Sequence, residues 1–248
     1  MALLKVNHLT KNFGGLRAND DISFALEKEE LLGLIGPNGA GKTTLFNCIS
    51  GFYPVTSGRI FFNGKEISGL KAHEVARRGM ARTFQVYVAS GDLTVEENVM
   101  VGCFLHTRSR VVARQHAREI LRDLHLQNLS EYLVSELPAA AQKRVAMATA
   151  LATKPKLLLL DEVAAGLNPG EIEEIMTTIK QIHHELGITV ILIEHVMELV
   201  MKICERIIVL DYGQKISDGS PAAVAKDPRV IKAYLGERYV QEHEKELN

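Results

Sequence analysis

Gly36-Pro37-Asn38-Gly39-Ala40-Gly41-Lys42-Thr43-Thr44 directly follows the apolar run Leu31-Leu32-Gly33-Leu34-Ile35. The spacing is Gly, four residues, Gly, Lys, Thr, the pattern of a loop that cradles phosphates. The apolar run reads as a buried strand. Thr43 through Ser50 reads as a helix, which Gly51 can end. Strand–loop–helix is the context the pattern needs. Glycines let successive backbone N–H groups turn inward, and the helix N-terminus adds positive potential. Lys42 can then reach β- and γ-phosphates, and the Thr43 hydroxyl can bind Mg²⁺. The alternative, a Gly-rich turn with an incidental Lys-Thr, would not require both flanks.

Composition sets the outer bounds. The chain has 248 residues, enough for one large α/β domain or two small ones, and its 46% hydrophobic content supports a proper core. Its net charge is −1, and the basic residues are scattered rather than laid in a stripe, which argues against a nucleic-acid partner. No apolar run approaches bilayer-spanning length, and Met1 to Asn12 lacks a signal-peptide pattern. The expectation is a cytoplasmic protein that reaches a membrane only through a partner. Cys48, Cys103 and Cys204 are widely spaced and odd in number, which reads as buried thiols rather than a metal or disulfide set.

Along the chain there is one phosphate loop and no internal repeat, which excludes a tandem-domain ATPase within it. The segment to about Thr83 is β-rich, and Arg59-Ile60-Phe61-Phe62 runs into the hairpin signal Asn63-Gly64. From about Val86 to Thr153 the strand-like runs vanish. Apolar positions such as Val111, Val112, Ile120, Leu121 and Leu124 alternate with charges at helical spacing. This reads as a helical subdomain inserted into an α/β core. Alternation then resumes with a strand at Leu157 to Leu160, a helix at Gly170 to Glu185, and a strand at Thr189 to Ile193. A helix at Val196 to Cys204 and a strand at Arg206 to Leu210 follow. After a turn at Asp211 to Gln214 comes a short strand at Lys215-Ile216-Ser217. The charged tail after Gly236 reads as a surface helix or a frayed end.

Leu157-Leu158-Leu159-Leu160-Asp161-Glu162 is a continuous apolar run, as in a strand buried on both faces, ending in two acids. Ligands of open α/β sheets sit beyond the carboxyl ends of strands. There Asp161 can hold Mg²⁺ through water and Glu162 can polarise an attacking water. An acidic turn in solvent is the plain alternative, weakened by the phosphate loop upstream. His195, just past the strand Thr189 to Ile193, can contact a γ-phosphate and orient water; taken alone, it reads more readily as a surface histidine at a helix N-terminus. Gln85 sits where the core gives way to the helical segment and can touch metal or water, or be an ordinary loop residue. Phe13, in Asn12-Phe13-Gly14-Gly15, can stack on adenine or belong to the core.

Taken in order, these features make the chain resemble, over nearly its whole length, the ATP-binding subunit of an ABC transporter. The matching features are Phe13, Gly36 to Thr44, Gln85 as the Q-loop, Asp161-Glu162 as the second Walker motif, and His195 as a switch histidine. Within that family the chain is most similar to subunits serving branched-chain amino acid uptake. The stretches that carry this are Lys11 to Ala18, Arg82 to Gln85, Ala164 to Pro169, Ile193-Glu194-His195 with Leu199 to Met201, and Ala233 to Glu237. The resemblance implies an α/β P-loop NTPase fold with a RecA-like core, an N-terminal antiparallel β part and an inserted helical subdomain. The implied division of residues 1–248 is core 1–85 and 154–236, helical subdomain 86–153 and tail 237–248. It implies ATP and Mg²⁺ at Phe13, Gly36, Pro37, Asn38, Gly39, Ala40, Gly41, Lys42, Thr43, Thr44 and Gln85. Thr43, Gln85 and Asp161 would serve the metal, and Glu162 and His195 catalysis. It further implies a head-to-tail dimer, with itself or a second ATPase subunit. Integral membrane permease subunits would dock near the Q-loop and helical subdomain, holding the chain at the inner face of the membrane.

One stretch departs from the pattern. The signature of the family reads close to Leu-Ser-Gly-Gly-Gln, and here the segment is Leu137-Pro138-Ala139-Ala140-Ala141-Gln142-Lys143-Arg144. Pro138 removes both the serine hydroxyl and a backbone donor. Alanines add Cβ atoms where backbone must approach phosphate. The segment can still begin a helix, since Pro suits a first turn and Ala favours helix. The expectation is normal ATP binding at the phosphate loop with weakened closure and turnover, or a partner subunit that supplies an intact segment. Val163 replaces a frequent proline and Asn168 a frequent aspartate, and neither reads as damage. Other readings kept open are an ATPase for urea, amides or lipopolysaccharide export, a soluble ABC ATPase of iron–sulfur cluster assembly, and a nucleotide-binding regulator that barely hydrolyses.

Overall fold

The computed structural model describes residues 2–83 and 90–235. In chain order they form β1 (Leu4–Phe13), β2 (Leu16–Leu26), β3 (Leu31–Ile35), α1 (Lys42–Ile49), β4 (Ser57–Phe62), β5 (Lys65–Glu66), α2 (Ala72–Arg77) and β6 (Met80–Arg82). Then come α3 (Val95–Cys103), α4 (Arg110–Asp123), α5 (Ala139–Leu151), β7 (Leu157–Asp161), α6 (Pro169–Lys180) and β8 (Thr189–Ile193). The last are α7 (Met197–Ile203), β9 (Arg206–Asp211), β10 (Gln214–Gly219), α8 (Pro221–Val224) and α9 (Pro228–Leu235). Gln85 and the tail 237–248 lie outside the described residues. Among those described, no helix is long and apolar enough to cross a membrane. The chain divides into two compact units, Met1–Ala72 with Ile191–Asn248, and His73–Val190.

The first unit carries an antiparallel sheet in the order β2-β1-β4-β5. Asn63 and Gly64 both have positive φ and turn β4 into β5, as their hairpin chemistry dictates. The same unit holds the strand order β10-β9-β3-β8, with β3 parallel to β9 and β10 antiparallel to it. Every residue of β3 and β8 is buried, the signature of strands covered on both faces. β10 extends further at both ends than Lys215 to Ser217. Its side chains Lys215 and Asp218 pair at 2.9 Å, and Asp218 also takes the Arg206 guanidinium of β9 at 2.6 Å.

The second unit pairs β6 in parallel with β7, matching Met80 with Leu157, Ala81 with Leu158 and Arg82 with Leu159. Leu157 to Leu160 have no exposed surface. Burying each such side chain contributes about 1.5–3 kcal/mol. Helices α3 to α5 occupy the stretch where strand signals cease. Thr94 caps α3 reciprocally with Glu97. Buried Glu96 draws Arg114 of α4 to 2.8 Å, with Arg118 beside it. Arg144 ties α5 to its neighbours, donating to the Thr178 hydroxyl of α6 at 3.0 Å and to the Leu124 carbonyl at 2.9 Å. The helix expected from Gly170 to Glu185 starts one residue earlier and leaves α geometry at Lys180. Gln181–Glu185 widens into a π turn there, with His183 Nδ1 3.1 Å from the Ile188 carbonyl.

Two predictions follow from this packing. All three cysteines are buried and free. Burial pushes the Cys48 thiol up to about 11 and the Cys204 thiol up to about 12, the latter helped by Glu194 and Glu205. Burial raises that of Cys103 as well. Native protein at pH 8 should thus give no rapid reaction with Ellman's reagent, and denaturant should release all the thiols; fast labelling of folded protein would contradict the burial. Asn168 caps α6, accepting from the Glu171 N–H at 3.0 Å while the Glu171 carboxylate accepts from the Asn168 N–H at 2.9 Å. In urea unfolding, Asn168→Ala should cost about 1 kcal/mol and Asn168→Asp almost nothing.

Candidate functional site

The loop from Gly36 to Thr44 leaves the carboxyl end of β3 and enters α1 through Gly41, which has φ 97°. Close packing shapes it. A Cβ on Gly36 would stand 2.1 Å from the Leu210 carbonyl oxygen, and one on Gly41 2.4 Å from that of Ala18. No other side chain fits these two positions. Gly39 also has positive φ, but open space around it. Buried Lys42 curls back inside the loop, its ammonium donating to the carbonyls of Gly36 at 2.8 Å and Pro37 at 3.0 Å. The rim formed by Asn38, Gly39 and Thr43 is exposed, with Pro37, Gly41 and Thr44 partly so. The result is a concave, amide-rich surface with one cation inside it at a helix N-terminus, which fits a polyphosphate. The Thr43 hydroxyl at its rim is a hard oxygen donor suited to Mg²⁺.

In the same unit Phe13 ends β1. It is 42% exposed and therefore not a core residue. Its ring meets Tyr53 edge-on, centroids 5.3 Å apart and planes at 81°. The Lys11 ammonium lies 4.8 Å from the Phe13 centroid and donates to the Pro54 carbonyl at 2.8 Å. This leaves a fixed, solvent-facing aromatic. His195 follows Glu194 past the end of β8 and is exposed, while Glu194 is buried and accepts from the His195 N–H at 3.2 Å.

In the second unit Asp161 ends β7, 2% exposed. Its Oδ2 accepts from Arg82 Nη2 at 2.7 Å, and its backbone N–H donates to the Thr83 hydroxyl at 3.3 Å. Arg82 sits opposite Leu159, two residues before Asp161, so the parallel register puts both side chains on one face. Arg82 and Asp161 form a buried ion pair, and a carboxylate is the hard oxygen donor a divalent cation takes. The residue type of Arg82 was visible in the sequence, but its partner required the register. Glu162 is half-buried with φ 52°, a left-handed conformation uncommon for this side chain and of the kind that gathers at functional sites. Pro138 caps α5 with extended ψ and no side-chain bond, as its sequence position implied. Pro138 and Ala139 are exposed, and Lys143 donates to the Ala165 carbonyl at 2.6 Å.

Comparison with known proteins bears on this arrangement. Residues 19–165 match the family described as ABC transporter, and residues 214–240 match that described as branched-chain amino acid ATP-binding cassette transporter. A high-affinity branched-chain amino acid transport ATP-binding protein of Pseudomonas aeruginosa is 39% identical over 250 residues, covering 95% of this chain and 98% of that protein. The lipopolysaccharide export system ATP-binding protein of Escherichia coli is 34% identical, covering 96% of this chain and 99% of that protein. A nucleotide-free ATP-binding cassette from an ABC transporter superposes with TM-score 0.87 at 31% identity, covering 96% of this chain and all of that one. A cassette solved as a dimer bound to ADP and Pi superposes with TM-score 0.78 at 26% identity, covering 88% and 98% of the two chains.

Arg82→Gln should leave Asp161 as a buried charge without its guanidinium and cost about 3–5 kcal/mol. Adding Asp161→Asn should restore much of that loss. A double-mutant cycle in urea measures this, and additive losses would show that the pair is not coupled.

Proposed function

Because the chain belongs to the ABC transporter family of ATP-binding proteins, we propose that it is the ATP-hydrolysing subunit of an importer for branched-chain amino acids, working beneath membrane permease subunits. The observation that carries the substrate is the match of residues 214–240 to the branched-chain subgroup. The full-length similarity to a branched-chain amino acid transport ATP-binding protein supports it. The lipopolysaccharide export relative at 34% identity keeps a second reading in view.

In this proposal residues 1–85 and 154–236 form the nucleotide-binding core, 86–153 the helical subdomain that faces the permease, and 237–248 a tail. Phe13 stacks on the adenine. The amides of Gly36, Asn38, Gly39, Ala40, Gly41, Lys42, Thr43 and Thr44 wrap the phosphates, with Pro37 shaping the turn, and the Lys42 ammonium moves onto the β- and γ-oxygens. Thr43, Asp161 and Gln85 would hold Mg²⁺, which would supply charge neutralisation on the phosphates. Glu162 polarises the attacking water and His195 contacts the γ-phosphate.

Each nucleotide is completed by the signature segment of a second ATPase subunit. Pro138 offers that site neither hydroxyl nor N–H, while the N-terminus of α5 still attracts phosphate. A lost bond to a charged group is worth about 1.5–3 kcal/mol. Each site completed by this segment is therefore weakened by about one to two powers of ten relative to an intact signature, and self-pairing carries that loss at both sites. A heteromeric pair with an intact partner segment avoids that loss at one of its two sites.

Steady-state ATPase activity measured across protein concentrations tests the catalytic reading. Rates should be slow, rise faster than linearly with protein, and fall at least about 100-fold in Glu162→Gln. A fast, concentration-independent rate would sink the weakened-pairing account. Leucine uptake in cells deleted for the gene tests the substrate. It should fall and return with wild-type protein but not with Glu162→Gln, whereas unchanged uptake would favour the export reading.

A further inference from the structure

Four carbonyls of the phosphate loop are held by hydrogen bonds. Lys42, within the motif, holds those of Gly36 and Pro37. The other grips come from elsewhere in the chain. The Gly213 N–H, at the tip of the β9–β10 hairpin, donates to the Ala40 carbonyl at 3.1 Å. The Asn19 side chain, in β2, donates through Nδ2 to the Gly41 carbonyl at 3.1 Å. Gly41 oxygen also accepts the first helical bond of α1, from the Leu45 N–H at 2.9 Å. A second bond ties the two anchors together, the Asp20 N–H donating to the Gly213 carbonyl at 2.8 Å.

A peptide group is planar and trans, so its C=O and N–H point in opposite directions. Pulling the Ala40 oxygen towards Gly213 turns the Gly41 N–H the other way. Pulling the Gly41 oxygen towards Asn19 does the same for the Lys42 N–H. These are two of the amides the loop offers to phosphate, and their direction is set before any ligand arrives. Asn19 has no exposed surface, and its Oδ1, also buried, accepts no hydrogen bond among the described residues. The amide is therefore oriented by one contact alone, the Gly41 carbonyl. Its orientation is unambiguous, since the flipped form would set two oxygens against each other. Gly213, with φ 79°, admits no side chain either, because a Cβ would stand 2.8 Å from the Ala18 oxygen.

We propose that Asn19 and Gly213 are positioning residues of the nucleotide site, fixing the Gly41 and Lys42 amides towards the phosphates by holding the opposite ends of their peptide groups. This rests on reading the loop as the nucleotide site. Both act on the carbonyl ends of these peptide groups, so their loss should act on binding and leave the chemical step alone.

The test is titration of fluorescent ATP analogue in EDTA, with steady-state kinetics in Mg²⁺, on wild type, Asn19→Asp and Gly213→Ala. Asn19→Asp keeps the shape but replaces the donor with an acceptor. Asn19→Asp should raise the dissociation constant about tenfold, the worth of one hydrogen bond to a well-placed group. Gly213→Ala keeps its N–H but must shift because its Cβ has no room, and should raise the dissociation constant in the same direction. KM should rise in parallel, with kcat at saturating ATP within about twofold. Ile60→Ala, in a strand that makes none of these contacts, controls for stability: it should lower the melting temperature without moving nucleotide affinity. If Asn19→Asp does not fold, Asn19→Ala removes the donor without burying a charge and takes its place. Folded variants that bind as wild type does, or that lose kcat at unchanged affinity, would overturn the positioning role while leaving the site assignment standing. Wild-type protein that binds no nucleotide would overturn both.

Discussion

The direction of a few peptide groups governs this molecule. A phosphate loop works only if its amides face inward, and because each peptide is rigid, that demands carbonyls facing outward into something that will hold them. Around this loop the holders are a lysine ammonium, a hairpin-tip amide and an asparagine buried in a neighbouring strand. The glycines at Gly36 and Gly41 are where strand backbone comes too near for any Cβ. The long β2 strand and the β9–β10 hairpin are thus part of the loop's construction, although neither belongs to its motif.

This explains which parts of the fold can be read from the chain. β3, the loop, α1, β7 and β8 are local: a short apolar run or a fixed glycine spacing specifies each by itself. The Asn63-Gly64 turn is equally local. β1 and β2 are harder, because register shifts between Val6 and Leu9, Leu9 and Lys11, and Lys11 and Asn12 break the alternation that would mark them. Positive φ at His8 and Asp21 accompanies these irregularities. Lys42 and Asp161 announce themselves by motif. Arg82, Asn19 and Gly213 act through partners distant in sequence, and nothing in their immediate neighbourhood predicts those partners. The π turn closing α6 is of the same kind.

The signature segment shows how a departure in sequence can leave the local fold intact. Pro138, Ala139 and Ala140 start α5 normally, because proline suits the beginning of a helix and alanine its continuation. What changes is the list of donors presented outward. Lys143 still reaches the Ala165 carbonyl, so the helix stays joined to the stretch after Glu162. The alteration therefore changes what the start of α5 presents to solvent, not the assembly of this chain.

Glu162 carries a further consequence. Its left-handed backbone is a conformation that glycine or asparagine adopts at less cost. The residue is kept in the shape its own covalent geometry resists, immediately after a strand of four buried leucines that can bear the strain. An engineer screening this protein purely for heat tolerance would find position 162 among the places where glycine or asparagine relieves the backbone, and the relieved protein would have given up the carboxylate just past the end of β7.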